Sequence, residues 1–222
     1  MKLLLWDIDG TLLRSGGAGK IAMESALAAT FGLQQVRDDV PYSGRTDRSI
    51  VRDLFALHGI ADTPANRQRF VAAYFERLPA CLRQYQGRVL PGIEQLLHTT
   101  AACAGVVNGL LTGNMRQGAE LKLAHFGLWQ HFPFGGFGDD HEERDDVARM
   151  AYAAGRAHLG REPTEVWVIG DTPLDIRCAR AIGAKVLAVA TGYHPLEELA
   201  QFAPDVLLAD LAQTDAVLRL WV

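Results

Sequence analysis

Short apolar runs alternate along the chain with helix-forming segments, and this alternation limits the fold more than any other feature of the sequence. The apolar runs lie at 2–6, 106–111, 166–169, 185–190 and 205–208. Helical patterns lie at 93–103, 116–126, 145–158 and 174–182. Short strands that are buried on both faces and separated by helices are typical of a parallel sheet covered by helices on both sides. The sequence therefore predicts a doubly wound α/β core.

One connection breaks this alternation, because no strand pattern appears between residues 14 and 86. That distance is far longer than an ordinary loop or crossover. Helical patterns fill it instead, at 20–31, 47–57 and 64–77. We predict a helical cap domain over residues 15–86, inserted after the first strand of a core formed by residues 1–14 and 87–222. The hinges are predicted near Gly16 and Gly87.

Charge, hydropathy and cysteine usage exclude several classes of function. The net charge is −4 and no broad basic stretch is present, so a nucleic-acid partner is not expected. No run approaches 18 apolar residues, and the N-terminal run ends at Asp7, too early for a signal peptide, so no membrane partner is expected either. Cys81, Cys103 and Cys178 form no CxxC pair, which favours the reducing cytoplasm. The sequence leaves a monomer or a homodimer open.

Two carboxylates follow the first apolar run, in Asp7-Ile8-Asp9-Gly10-Thr11. Carboxylates two residues apart can line one site if the chain turns sharply after the first, and Gly10 permits such a turn. One carboxylate can then attack while the other moves protons. The alternative is that Asp7 and Asp9 are ordinary turn residues, since Asp and Gly favour turns.

Polar residues also follow two later runs. Thr112, Gly113 and Asn114 offer a hydroxyl and a flexible backbone that can donate to phosphate oxygens, although the same residues favour a helix cap and turn. Asp171 and Asp175 lie one helical turn apart and offer the hard oxygen ligands that suit Mg²⁺, although acids are also favourable in the first turn of a helix. Ligands of open α/β sheets bind at the carboxyl ends of strands, so these residues are predicted to share a site with Asp7.

Taken together, DIDGT at 7–11, LLTGN at 110–114 and GDTPLD at 170–175 resemble the first, second and fourth motifs of the haloacid dehalogenase superfamily. GDTPLD and the GRTD segment at 44–47 look most like the phosphoglycolate phosphatase-like branch, which carries a helical cap after the first motif. The resemblance covers nearly the whole chain. It implies a Rossmann-like core and a magnesium-dependent phosphatase acting on a small phosphorylated metabolite such as phosphoglycolate.

The resemblance implies catalytic roles for the matching carboxylates. Asp7 would attack phosphorus and become an aspartyl phosphate, and Asp9 would protonate the leaving alkoxide and then deprotonate water. Mg²⁺ would be held by the carboxylates of Asp7 and Asp171 and by the backbone carbonyl of Asp9. An acid two residues after the nucleophile is the phosphoryl-transfer form of the family, so dehalogenation is not expected.

The resemblance also implies substrate contacts. Thr112 with the backbone of Gly113 and Asn114 would bind the phosphoryl oxygens. Arg45 would reach from the cap to a second anionic group of the substrate when the cap closes; the alternative is an exposed Arg at the start of a helix. Asp175 would orient a metal-bound water or the neighbouring cation.

The third motif departs from the family, because no Lys lies between residues 131 and 170. Arg144 is the best substitute, since an Arg could neutralise Asp7 and contact phosphate with two donors. The alternative is that Arg144 only pairs with the many acidic residues beside it in the sequence.

Three other functions stay open on the sequence alone. A phosphomutase of the β-phosphoglucomutase type would return the phosphoryl group to the substrate and would need a cap that excludes water. Phosphonate hydrolysis would need a Schiff-base Lys, and Lys20 is the one Lys of the predicted cap. A non-catalytic phospho-ligand-binding module is disfavoured because all four site carboxylates are present.

Overall fold

A six-stranded parallel sheet forms the centre of the molecule. The computed structural model describes residues 1–222 throughout. The strands of this sheet are β1 Lys2–Trp6, β4 Val106–Leu111, β5 Gly135–Gly136, β6 Glu165–Gly170, β7 Lys185–Val189 and β8 Val206–Leu208. They are ordered β5-β4-β1-β6-β7-β8, and every neighbouring pair is parallel. The predicted doubly wound α/β core is confirmed.

The two faces of the sheet bury different side chains, as the period of two along a strand requires. In β1, Leu4 and Trp6 join one hydrophobic cluster, whereas Leu3 and Leu5 join the other. Helices cover both faces: α4 Ile93–Ala102, α5 Arg116–His125, α6 Arg144–Leu159, α7 Pro173–Ala181, α8 Leu196–Ala200 and α9 Thr214–Leu218. Burial on both sides explains why the strands appear in the sequence as nearly continuous apolar runs.

Strand β1 lies inside the sheet, at the place where the order of the strands reverses. Strands β4 and β5 follow on one side of it, and β6, β7 and β8 follow on the other. Strand β1 pairs with β4 on one side and with β6 on the other. The carboxyl ends of these three strands are therefore adjacent, which is the usual ligand-binding crevice of an open α/β sheet. The three sequence motifs follow these three strands.

The helices within residues 15–86, called the insert below, pack around a hydrophobic cluster that also contains Met115 of the core. The helices of the insert are α1 Ala18–Phe31, α2 Asp47–Leu57 and α3 Pro64–Gln84. Helix α3 extends beyond the predicted end at residue 77, because Phe70, Tyr74, Leu78 and Leu82 continue one buried face at intervals of four. Pro79 lies within it without ending it.

The insert enters and leaves the core at one place. Strands β2 Leu13–Arg14 and β3 Arg88–Val89 form an antiparallel pair that carries both connections. Gly16 has φ +65°, and a Cβ there would lie 2.8 Å from the carbonyl oxygen of Gln86. The division into core and cap and the hinges near Gly16 and Gly87 stay predictions. None of the helices is both long and apolar enough to cross a bilayer.

Candidate active site

Asp7 is the first residue after β1, and its side chain is buried at the switch point of the sheet. Its backbone N–H donates to the carbonyl of Ile169 in β6 at 2.9 Å, which fixes the turn after the strand. The carboxylates of Asp7, Asp171 and Asp175 bring one oxygen each within 4.8 Å of one another. Three buried carboxylates predicted from two separate motifs are thus brought together.

The connection from β6 to α7 fixes Asp171 and Asp175. Thr172 caps α7: its hydroxyl accepts from the N–H of Asp175 at 3.3 Å, and the Asp175 carboxylate accepts from the N–H of Thr172 at 3.0 Å. The Thr11 hydroxyl donates to Asp171 at 3.0 Å. A Cβ at Gly192 would lie 1.7 Å from the Asp171 carboxylate, so this close approach requires glycine. The cap of α7 therefore orients Asp175, and contacts with Thr11 and Gly192 orient Asp171.

Arg144, the first residue of α6, points back into the buried acids. Its Nη2 donates to Asp7 at 2.7 Å and also to Asp175, and the side chain is 3% exposed. The neighbouring acids Glu143 and Asp145 instead pair with the half-exposed Arg177. Arg144 therefore lies where a cation can neutralise Asp7, and it does not act as a surface partner for its sequence neighbours.

One guanidinium does not balance three buried carboxylates. Burial raises the pKa of Asp7 to about 7, since desolvation outweighs the lowering effect of Arg144. Burial, together with the charges of Asp7 and Asp175, holds the pKa of Asp171 well above its usual range. A divalent cation at this position would offset the repulsion among these groups.

The donor set fits Mg²⁺, which prefers hard oxygen ligands and needs few carboxylates. Both oxygens of Asp175 are already engaged, by Thr172 and by Arg144. Asp7 and Asp171 each keep one carboxylate oxygen outside the hydrogen bonds described above. These two carboxylates are thus the better candidates for metal ligands, and Asp175 is suited to hold Arg144.

Asp9 lies among a second group of polar residues. One of its oxygens accepts from Lys122 Nζ at 2.5 Å and from Asn114 Nδ2 at 2.9 Å. Lys122 Nζ also donates to Asn114 Oδ1 at 2.6 Å. Burial alone would raise the pKa of Asp9, but the charge and hydrogen bond of Lys122 lower it below its ordinary value.

Lys122 is a residue of this site that none of the sequence motifs includes. It lies on α5, eight residues after Asn114, and it is 5% exposed. Eight residues are about two helical turns, so a side chain at this position can point back toward the start of the helix. A Lys between Leu121 and Leu123, on a helix expected to pack against the sheet, was the one available signal.

The residues of the second motif lie at the end of β4, where Thr112 and Asn114 contact each other. Thr112 is fully buried, and its hydroxyl accepts from the side-chain amide of Asn114 at 2.9 Å. Gly113 and Asn114 line the cavity described below, whereas Thr112 does not. A phosphate contact by Thr112 stays a prediction; its observed contact orients Asn114.

The loop before α2 packs directly on the core. The N–H of Asp47 donates to the carbonyl of Gly113 at 2.7 Å, and the Asp47 carboxylate accepts from the N–H of Met115 at 2.7 Å. Burial raises the pKa of Asp47 to about 6. Arg45 lines the cavity but pairs with Asp53 at 2.6 Å, so its contact with a second substrate anion stays a prediction.

A cavity of 340 Å³ lies between the core and the helical insert. Its core side includes Asp7, Asp9, Lys122 and Arg144. The opposite side is formed by residues of the insert and by Tyr193, an exposed residue of the loop after β7. A molecule held in this cavity would meet the nucleophile candidate on one side and the insert on the other.

Known proteins resemble this chain over most of its length. The family profile described as haloacid dehalogenase-like hydrolase matches residues 4–180. The chain is 32% identical to the N-acetylmuramic acid 6-phosphate phosphatase of Pseudomonas aeruginosa, over 94% of this chain and 90% of that protein. It is 29% identical to the phosphoglycolate phosphatase of Synechococcus elongatus, over 96% of each. The structure of CbbY from Rhodobacter sphaeroides in complex with phosphate has the same fold, with a TM-score of 0.75, 22% identity and 95% coverage of each chain.

The chain belongs to the haloacid dehalogenase-like hydrolases. Within that family it is an enzyme of the phosphoric monoester hydrolase class, and the branch that it resembles includes the phosphoglycolate phosphatases. The family membership predicted from the three motifs is confirmed.

Proposed function

We propose that this enzyme is a magnesium-dependent phosphatase that hydrolyses a small phosphorylated metabolite through an aspartyl phosphate on Asp7. The observation that carries the proposal is the convergence of Asp7, Asp171 and Asp175 with Arg144 at one end of the cavity, with Asp9 held nearby. Phosphoglycolate, named for several relatives, is the first candidate substrate. We place the enzyme in the cytoplasm, where its three free cysteines would stay reduced.

In the first step, a carboxylate oxygen of Asp7 attacks phosphorus and the bond from phosphorus to the leaving oxygen breaks. Asp9 in its protonated form gives a proton to that oxygen, so the leaving group departs as an alcohol. Lys122 favours the ionised form of Asp9, which is the form that takes a proton in the second step. Arg144 keeps Asp7 in place and offsets negative charge as the phosphoryl group approaches. Gly113 and Asn114, which line the cavity, are suited to contact the phosphoryl oxygens.

In the second step, water attacks the phosphorus of the aspartyl phosphate while Asp9 takes a proton from that water. The bond between phosphorus and the Asp7 oxygen breaks, which releases inorganic phosphate and restores the carboxylate. Mg²⁺ held by Asp7, Asp171 and the Asp9 carbonyl would supply positive charge that allows two anions to approach each other.

Removal of metal is the direct test of this proposal. Dialysis against EDTA is expected to abolish release of p-nitrophenol from p-nitrophenyl phosphate, and Mg²⁺ is expected to restore it. Ca²⁺ should restore little, because it prefers about six to eight oxygen ligands and this site offers few carboxylates. Undiminished turnover in metal-free protein, verified by elemental analysis, would remove Mg²⁺ from the proposal.

Thermal unfolding of the same samples gives a second, independent measurement. The pKa of Asp7 is 3.8 in an ordinary carboxyl and about 7 in the folded protein. Between these values the folded protein keeps a proton that the unfolded chain releases, so metal-free stability falls as pH rises through this window. We expect Mg²⁺ to raise the Tm more at about pH 7.5 than at about pH 5. An equal increase at both pH values would argue against binding at Asp7.

Lys122→Met tests whether Lys122 holds Asp9 for proton transfer. An alkyl phosphate needs an acid to protonate its leaving group, whereas nitrophenolate leaves without one. We therefore expect kcat for glycerol 1-phosphate to fall by about 10²-fold, and kcat for p-nitrophenyl phosphate to fall much less. Lys185→Met, which removes an exposed Lys paired with Glu165, is the matched control. Equal losses for both esters would show that Lys122 does not act through Asp9.

A further inference from the structure

We propose that Arg14 is a positioning residue for the metal site, because it holds the loop after β7 against Asp171 and so raises the affinity for Mg²⁺. The inference rests on the proposed function, in which Asp171 is a metal ligand. Arg14 lies on β2, outside the three sequence motifs, and its own side chain contacts no residue of the acidic group.

The free carboxylate oxygen of Asp171 lies between two glycines. Its Oδ1 accepts from the Thr11 hydroxyl, whereas Oδ2 accepts no hydrogen bond and is the oxygen available to a metal. A Cβ at either Gly10 or Gly192 would overlap Oδ2. The backbone therefore packs directly on this oxygen from both sides, and the position of Gly192 limits where Oδ2 can lie.

The loop that carries Gly192 is not held by its own backbone. Ala190 donates to the carbonyl of Leu208 in β8, but the N–H and C=O groups of residues 191–194 form no hydrogen bond with another backbone group. Backbone hydrogen bonds fix most segments of a folded chain. Here that task falls to side chains.

Arg14 makes most of the side-chain hydrogen bonds to this loop. Its Nε and Nη2 donate to the carbonyl of Thr191 at 2.9 and 2.6 Å, and Nη2 also donates to the carbonyl of Gly192 at 3.2 Å. Charged donors form the stronger hydrogen bonds of proteins. Arg14 thus holds the peptide groups on both sides of Gly192, the residue that packs on Asp171.

Two further side chains attach the same loop. The hydroxyl of Thr191 donates to the carbonyl of Gly10 at 2.6 Å, which joins the two glycines that pack on Oδ2 of Asp171. The far end of the loop is held through His194, whose ring contacts Ser43 of the insert at 3.2 Å. Groups that orient metal ligands without touching the metal typically change its affinity by about 10–100-fold when they are removed.

Arg14→Met tests the inference through Mg²⁺ binding, without turnover. Calorimetric titration of the metal-free protein with Mg²⁺ gives the dissociation constant, which we expect to rise about tenfold. Thr191→Val removes a hydroxyl and keeps the shape of the side chain, so it should act in the same direction. At saturating Mg²⁺, kcat and KM of Arg14→Met for p-nitrophenyl phosphate should stay within about twofold of the wild type, because the groups that meet the ester are unchanged.

Two further variants serve as controls. Arg88→Met is the matched negative control, since Arg88 is exposed and lies opposite Arg14 in the pair of β2 and β3. It should leave the affinity for Mg²⁺ unchanged. Gly192→Ala is the positive control: Gly192 does not have a positive φ, so its backbone accepts Ala, but the added methyl group overlaps Oδ2 of Asp171. It should weaken Mg²⁺ binding more than Arg14→Met does.

Three outcomes would overturn the inference. One is wild-type affinity for Mg²⁺ in Arg14→Met, and another is an equal loss in Arg88→Met. The third is a higher KM for the ester with unchanged affinity for Mg²⁺, which would make Arg14 a substrate contact. Failure of the wild type to bind Mg²⁺ would instead reject the metal site of the proposed function, and this role of Arg14 with it.

Discussion

Asp7→Asn is expected to lower turnover of p-nitrophenyl phosphate by on the order of 10⁴-fold or more, since it removes the nucleophile and keeps the shape of the side chain. The amide can still accept from Arg144, so the fold should persist. The measurement is kcat at saturating Mg²⁺, with circular dichroism to verify the structure. In the wild type, rapid acid quenching should also trap phosphate on the protein, and the variant should carry none.

The control for Asp7→Asn is Asp146→Asn, the same chemical change at an exposed residue of α6 that pairs with Arg149. It should leave kcat unchanged within error. Turnover of Asp7→Asn equal to that of the wild type would exclude Asp7 as the nucleophile. A loss accompanied by trapped phosphate on the variant would assign the covalent step to another residue.

Arg144→Met is expected to lower both stability and activity. The substitution leaves Asp7 and Asp175 buried without their cation, and breaking a buried pair in this way costs about 3–5 kcal/mol. Urea unfolding in EDTA measures the change in the free energy of unfolding. Arg144→Lys should recover only part of the activity, because the Lys ammonium lies one bond closer to the backbone than Nη2, the nitrogen that contacts both carboxylates.

Arg177→Met is the matched control for Arg144, since Arg177 is half exposed and pairs with Glu143 and Asp145. Exposed pairs of this kind contribute at most about 1 kcal/mol, so stability should change little. Equal effects at the two positions would show that burial of Arg144 does not determine its contribution. Full activity of Arg144→Met would exclude Arg144 as the replacement for the family's usual Lys.

Much of this site could be predicted from the sequence because each motif directly follows a strand. Asp7, Gly113 and Asp171 come after β1, β4 and β6, and parallel strands bring their carboxyl ends to one edge. Apolar runs identify such strands in the sequence. The residues that directly follow each run could therefore be predicted to share one site. Arg144, the predicted substitute for the family's Lys, is the first residue of α6 and contacts Asp7 and Asp175.

The remaining features depend on contacts that no local pattern encodes. Lys122 approaches Asp9 from a helix 113 residues further along the chain, and nothing near Lys122 resembles a motif. The packing of the loop at Asp47 on Gly113 depends on how the insert docks. These are long-range relations between segments whose own sequences specify only helices.

The antiparallel pair of β2 and β3 brings together the two chain connections that lead into and out of the insert. Because both connections run side by side at Gly16 and Gln86, the chain leaves the sheet and returns to it without altering the path of any core strand. Such an arrangement tolerates replacement of the whole intervening segment, as domain insertion does elsewhere. The residues of the core and the residues of the insert that line the cavity can therefore change separately, and an engineer could graft another insert at the same junction.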